Sequence, residues 1–283
     1  FGNIAHGCSS VVGDRLALGY ADYVLSEAGF GADLGFEKFM HIKARFNDLE
    51  PSAAVLVASV RAVKYHGGVR PRDLDTPNEE AVQKGVENLE HLIGVIKSFN
   101  LPVVVALNHF PTDTPAETAI VKKAAEEGGA FAAVESKVFA EGGAGGMELA
   151  QALIEATEGE DPEINYAYDV EAPILDKVRA LAKLVYNADG VQWALPARRL
   201  RRQFEENGWG NLPICMAKTH LSISHRAALK GRPSNYTFEV SDIRASVGAG
   251  FIYPIAGNIV TMPGLPGSPR QLDVDERGNI LGL

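Results

Sequence analysis

The chain has 283 residues, 46% of them hydrophobic and 22% charged, which is enough for one large or two ordinary domains around a real core. Its net charge of −9 excludes a phosphate-backbone partner, because non-specific nucleic-acid binding needs a basic face. No apolar run approaches the ~20 residues that span a bilayer, and no signal peptide is visible, so the cytoplasm is the expected compartment. Cys8 and Cys215 are too few for a disulfide framework or a thiolate metal cluster, and no metal site is expected.

The chain opens Phe1-Gly-Asn-Ile-Ala-His-Gly7, apolar where termini are usually polar and loose, and reads as the continuation of something upstream. Ser9 and Ser10 can cap a helix with Val12, Leu16, Ala17, Tyr20 and Ala21 on one face. Tyr23-Val24-Leu25 then reads as a short strand. The loop Ala28-Gly-Phe-Gly-Ala-Asp-Leu-Gly35 leads to a helix from about Glu37 to Leu49. Its glycines either let backbone approach a ligand or serve a tight turn. Their spacing is neither the dinucleotide fingerprint nor a P-loop.

Ala53–Ser59 is the next buried strand, and Arg61 and Lys64 just beyond it can meet an anion or remain ordinary surface charges. A polar connection leads to an amphipathic helix from about Asn78 to Phe99, with Val82, Val86, Leu89, Leu92, Ile93 and Ile96 at helical spacing. Val103–Leu107 has the β-branched character of a buried parallel strand and breaks at Asn108-His-Phe-Pro-Thr-Asp-Thr114. Pro111 ends the strand, and Thr112, Asp113 or Thr114 caps a helix running to Glu127. Ligands of open α/β sheets sit beyond the carboxyl ends of the strands, so Phe110 there is either a binding edge or a gap-filling turn residue.

Phe131–Val134 reads as another strand, followed by Phe139, the glycine run 142–146 and a helix through Ala156. A glycine-rich loop before a helix is a ready anion site, but no Lys-Ser/Thr pair follows. The acidic stretch from Gly159 to Pro173 has no cage-like spacing and reads as a solvated connection. A helix from Pro173 to Tyr186, a strand Val191–Trp193 and a basic helix behind Pro196 come next. Leu212–Ala217 reads as a strand ending at Lys218. The tail changes character: Tyr236–Val240 alternates as a half-exposed strand does, and Phe251–Ile255 and Asn258–Met262 follow. The pattern is α/β: a largely parallel sheet with helices on both faces, plus a smaller C-terminal part with an antiparallel tail. The expected division is 1–110 for a large nucleotide-binding domain and 111–283 for the remainder.

Seven segments, in order, resemble one family, formate–tetrahydrofolate ligase. They are Asn3–Gly7, Glu27–Gly35, Val57–Gly68, Asn108–Thr114, Gly142–Gly146, Pro213–Thr219 and Thr261–Pro266. The resemblance implies a P-loop NTPase-like fold whose phosphate-binding N-terminal half lies upstream of Phe1, together with the catalytic groups. It implies ATP with Mg²⁺, formate and tetrahydrofolate as substrates, formyl phosphate as intermediate, activation by a monovalent cation, and a homotetramer. Position by position it places Phe110 and Pro111 at the pterin, Phe139 on the opposite face where the family commonly has Trp, and Phe30 and Asp33 at the nucleotide cleft. His109 stands where Lys is usual, removing a fixed charge. Arg61 and Lys64 are the candidate anion contacts. A non-catalytic folate- or nucleotide-binding domain is the alternative. A GTPase-like reading of Asn108 fails because His109 is not Lys.

Overall fold

A computed structural model describes residues 5–259, 273–277 and 280–281. The strand expected at Asn258–Met262 and the motif Thr261–Pro266 lie largely or wholly outside these residues, as does part of the first motif. Helix α1 is Val11–Leu18, started by the Ser10 hydroxyl accepting from the Gly13 amide at 3.2 Å. Its apolar face is turned outward: Val12 is 76% exposed, and Leu16 and Tyr20 are exposed too.

Two expectations change next. Tyr23-Val24-Leu25 is extended but carries no strand ladder among the described residues, and Tyr23 and Leu25 are exposed. A strand needs a neighbour to accept its hydrogen bonds, and among the described residues no ladder partner lies beside this one. Second, helical structure starts at Gly31 instead of Glu37 and ends near Ala44 instead of Leu49. It is wound wide, as π-turns over Gly31–Phe36 and Phe39–Ala44. The signature is the five-residue bond, Gly35 N to Phe30 O and Arg45 N to Met40 O, both 3.2 Å. The glycines make this possible by contact: a β-carbon on Gly35 would sit 1.8 Å from the Gly29 carbonyl oxygen.

The first sheet is built as the apolar runs predict. Strands β1 (Ala54–Ala58), β2 (Val103–Asn108) and β3 (Ala132–Ser136) pair in parallel in the order β1-β2-β3. Register runs Ala54↔Val103 to Ala58↔Leu107, and Val104↔Ala132 to Asn108↔Ser136. Residue 110 falls just past β2, inside a sheet that continues to β3. Helix α2 (Val60–His66) follows β1, α3 (Glu79–Ser98) feeds β2, and α4 (Pro115–Glu127) leads to β3. One sheet face packs Leu56, Val103, Val105 and Leu107 into the main core with α3 and α4. On the other face Val104 packs with Ala152 of a later helix, α6, which follows the single turn α5 (Val138–Glu141) and spans Met147–Ala156. α6 covers β2 and β3 and leaves the outer face of β1 open, where Val57 is 68% exposed.

The second sheet is mixed. Strand β4 (Gly190–Trp193), reached through α7 (Ile174–Leu184), runs parallel to β5 (Thr237–Ser246). Between them lies α8 (Leu195–Glu206), the basic helix. β5 pairs antiparallel with β6 (Phe251–Ala256) across the short turn Val247–Ala249. The expected strand at Leu212–Ala217 is present only as two parallel bridges to β6, Ile214↔Ile252 and Ala217↔Ile255. The remaining pair, β7 (Asp273–Val274) and β8 (Ile280–Leu281), is antiparallel.

Helix α3 joins the two parts. Its apolar stripe lies in the first core, and its buried polar residues reach across. Asn88 donates to the Gly231 carbonyl at 3.1 Å, and His91 Nε2 donates to the Val185 carbonyl at 2.7 Å.

Candidate functional site

The carboxyl edge of the first sheet gathers side chains from three neighbouring strands. From β2, the chain turns at Phe110, whose amide donates to Asp113 Oδ2 at 2.9 Å while the Asp113 amide donates back to the Phe110 carbonyl at 2.9 Å. This reciprocal pair fixes the half-buried Phe110 and exposes Pro111. Arg61, in the first turn of α2, lays its guanidinium 5.3 Å from the Phe110 ring centre and pairs with Asp75. One face of Phe110 is thus taken by a cation. From β3 comes Phe139, 98% exposed on the single turn α5. A ring so exposed touches no neighbour, so Phe110 and Phe139 do not stack on each other. They share an edge because Asn108 and Ser136 are paired in register. His109 bonds the Ser136 carbonyl through its amide at 3.0 Å, and its ring Nδ1 lies 3.7 Å from Glu135.

Lys64 does not reach this edge. Its ammonium is fully buried, 3.1 Å from Glu117 and 3.1 Å from the Thr76 carbonyl. Glu117 also accepts from the Asn78 amide at 2.8 Å and the Thr114 amide at 3.1 Å, closing a capping box at the start of α4. Burial opposes ionisation of Glu117, but these amides and Lys64 outweigh it and hold the carboxyl below its ordinary range.

Phe30 stands on a second surface, 76% exposed at the entry of the π-turns. Asp33, three residues on, faces inward and pairs with the buried Lys218 at 2.6 Å. A separate cavity of about 590 Å³ opens beside the N-terminus of α1, lined among others by His6, Cys8, Lys43, Phe46 and Pro213. Lys43 there is paired with Asp14. Burial pushes the Cys8 thiol up to about 11, which favours the thiol over the thiolate. Among the described residues no three His, Cys, Asp or Glu side chains converge on a metal position.

Sequence reasoning missed Asp75, Glu117 and Glu135 as partners. Thr114-x-x-Glu117 is a readable capping-box signature, but nothing local announces that Lys64 joins it from 53 residues away (117 − 64). Asp75 sits in a polar connection whose folding-back is a tertiary fact.

The family model for "Formate--tetrahydrofolate ligase" matches residues 1–283. A protein named formate–tetrahydrofolate ligase from Roseiflexus castenholzii is 50% identical over 293 residues, with all of this chain aligned to 52% of that protein. One from Desulforamulus reducens is also 50% identical, over 52% of its length, and one from Methylorubrum populi is 48% identical over 51%. The chain spans about half the length of these curated relatives. With every residue matched and half of them identical, the chain belongs to the formate–tetrahydrofolate ligase family.

Proposed function

We propose that the chain forms the folate side of an ATP-dependent formate–tetrahydrofolate ligase, which converts ATP, formate and tetrahydrofolate to 10-formyltetrahydrofolate, ADP and phosphate through formyl phosphate. The observation that carries this reading is the shared edge of β2 and β3, past which the chain presents Phe110 and Phe139, with a guanidinium over the Phe110 ring. Flat heteroaromatic rings stack on such shelves, and Arg61, itself neutralised by Asp75, backs Phe110. Phe30 supplies a ring for the nucleotide cleft. The phosphate cradle is assigned to the other half of the ligase, because no Gly-x-x-x-x-Gly-Lys-Ser/Thr run occurs in these 283 residues. The open face of β1, the outward face of α1 and the Tyr23–Leu25 segment, which joins no ladder among the described residues, support docking of that half here. In this reading Mg²⁺ accompanies the ATP, and cytoplasmic residence goes with it.

Phe110→Ala in the full-length ligase tests it. A lost ring contact of about 0.5–1.5 kcal/mol raises the tetrahydrofolate KM roughly two- to tenfold and leaves the ATP KM unchanged. An unchanged tetrahydrofolate KM would overturn the folate assignment. Residues 1–283 alone should form no 10-formyltetrahydrofolate, and turnover by them would show that the phosphate site has been misplaced.

A further inference from the structure

Phe30 is held by a turn with little slack. Gly31 has φ +79°, and a β-carbon there would lie 2.6 Å from Asp33 Oδ1, so only glycine leaves room for the carboxylate to fold back under the turn. Beneath it the backbones of Gly29 and Gly35 are in contact. Asp33 is 8% exposed, and its Oδ2 takes a charge-assisted bond of 2.6 Å from Lys218.

Lys218 follows the strand-like segment beside β6 and belongs to the other part of the molecule. Its side chain is wholly buried, and its ammonium donates to the Thr219 carbonyl at 3.0 Å and the Ser222 carbonyl at 2.6 Å as well as to Asp33. An ammonium has three protons to donate, and all three are committed. Lys218 therefore has none left for a phosphate, although a lysine at a strand end beside a glycine-rich loop invites that reading. Burial lowers its hold on the proton and the Asp33 carboxylate raises it. The pair ties the Phe30 turn to the 218–224 loop, which is itself braced by Ser222 and Ser224, hydroxyl to hydroxyl at 2.8 Å.

The geometry points to Asp33 and Lys218 as a positioning pair for ATP: they touch no nucleotide, and they set the orientation in which Phe30 meets it. This rests on the reading of Phe30 as a nucleotide-cleft residue. Because the link runs through one turn, its loss falls on ATP binding and spares the folate shelf, which stands on β2 and β3.

The test is a mutant cycle in the full-length ligase, with MgATP and tetrahydrofolate varied separately. Phe30→Ala raises the ATP KM if the cleft reading holds; an unchanged ATP KM overturns that reading itself. Given that rise, Asp33→Asn should raise the ATP KM roughly five- to tenfold, the effect of about 1–1.4 kcal/mol, with kcat and the tetrahydrofolate KM within about twofold. In the double variant the two effects should not add, since Asp33 acts only through the ring. Two results refute the pair: additivity, or an Asp33→Asn enzyme that loses thermal stability while its ATP KM stays put. If Asp33→Asn does not fold, Lys218→Arg keeps the charge but not the three-way fit, and carries the same selective rise in ATP KM. No rise there also refutes the pair.

Discussion

Removing Glu117 should be more damaging than removing Lys64, although the two form one ion pair. Both side chains are fully buried. Glu117→Ala leaves a buried ammonium whose one remaining acceptor among the described residues is the Thr76 carbonyl, and it strands the amides of Asn78 and Thr114. An uncompensated buried charge costs about 3–5 kcal/mol, and loss of a capping interaction adds about 1 kcal/mol. Lys64→Met instead leaves Glu117 with the Asn78 amide, the Thr114 amide and the Thr114 hydroxyl. The carboxylate then stays solvated by the protein, and the loss is one bond to a charged group, about 1.5–3 kcal/mol. Urea denaturation followed by circular dichroism should show Glu117→Ala losing roughly twice the free energy of Lys64→Met at unchanged slope. Acid sharpens the contrast. The Glu117 pKa is depressed in the folded state, so its stabilisation is complete above the unfolded value of about 4.3 and is lost as pH falls through the lower folded value. If Lys64→Met were the costlier change, the charge pair and not the amide cage would be holding the start of α4, and the reasoning would be wrong.

Gly35→Ala should prevent the Phe30 turn from closing, because its β-carbon would overlap the Gly29 carbonyl; expression and thermal melting will show a loss well above 3 kcal/mol. Gly94→Ala should do the reverse: nothing lies within 4 Å of the added carbon on the exposed face of α3, and the melting temperature should rise by the equivalent of about 0.5–1 kcal/mol. His66 is neutral in the fold, its pKa lowered to about 4 chiefly by burial and next by Lys230, and its Nδ1 accepts from the Gly231 amide at 3.4 Å. The unfolded chain takes up that proton near pH 6.5, so stability should fall as pH drops from about 6.5 towards 4. His66→Gln should flatten that part of the stability profile measured by melting.

What the sequence disclosed and what it withheld divide along a physical line. β2 was legible because a central parallel strand buries both faces and must be apolar throughout, as Val103–Leu107 is. α3 and α4 were legible from periodicity and from the capping residues Asn78 and Thr114, which act within three residues of themselves. Tyr23–Leu25 has strand composition, yet composition cannot supply the neighbouring ladder. The first π-turn was hidden because the close contact that goes with it, Gly29 against Gly35, lies between backbones and not in a hydrophobic pattern. The candidate site was half visible. Phe110, Phe139 and Phe30 announce themselves at strand ends and in a glycine-rich loop. Whether Arg61, Lys64 and Asp33 face a ligand or a counter-ion depends on Asp75, Glu117 and Lys218, each remote in sequence.

The mixed second sheet carries a consequence for how the chain assembles in time. β5 and β6 are joined by a turn of a few residues, whereas β4 must find β5 across the whole of α8 and the loop that follows it. Closing the longer loop costs more entropy before any contact repays it, so the β5–β6 hairpin should form first and template the arrival of β4. The peptide from Leu195 to Tyr236 then closes late. It contains both Lys218 and the carbonyls that hold its ammonium, so the pin under Phe30 can be set only at the end. In a refolding experiment, amide protection in β5 and β6 should precede protection of β4, and the turn carrying Phe30 should be among the last segments to become ordered.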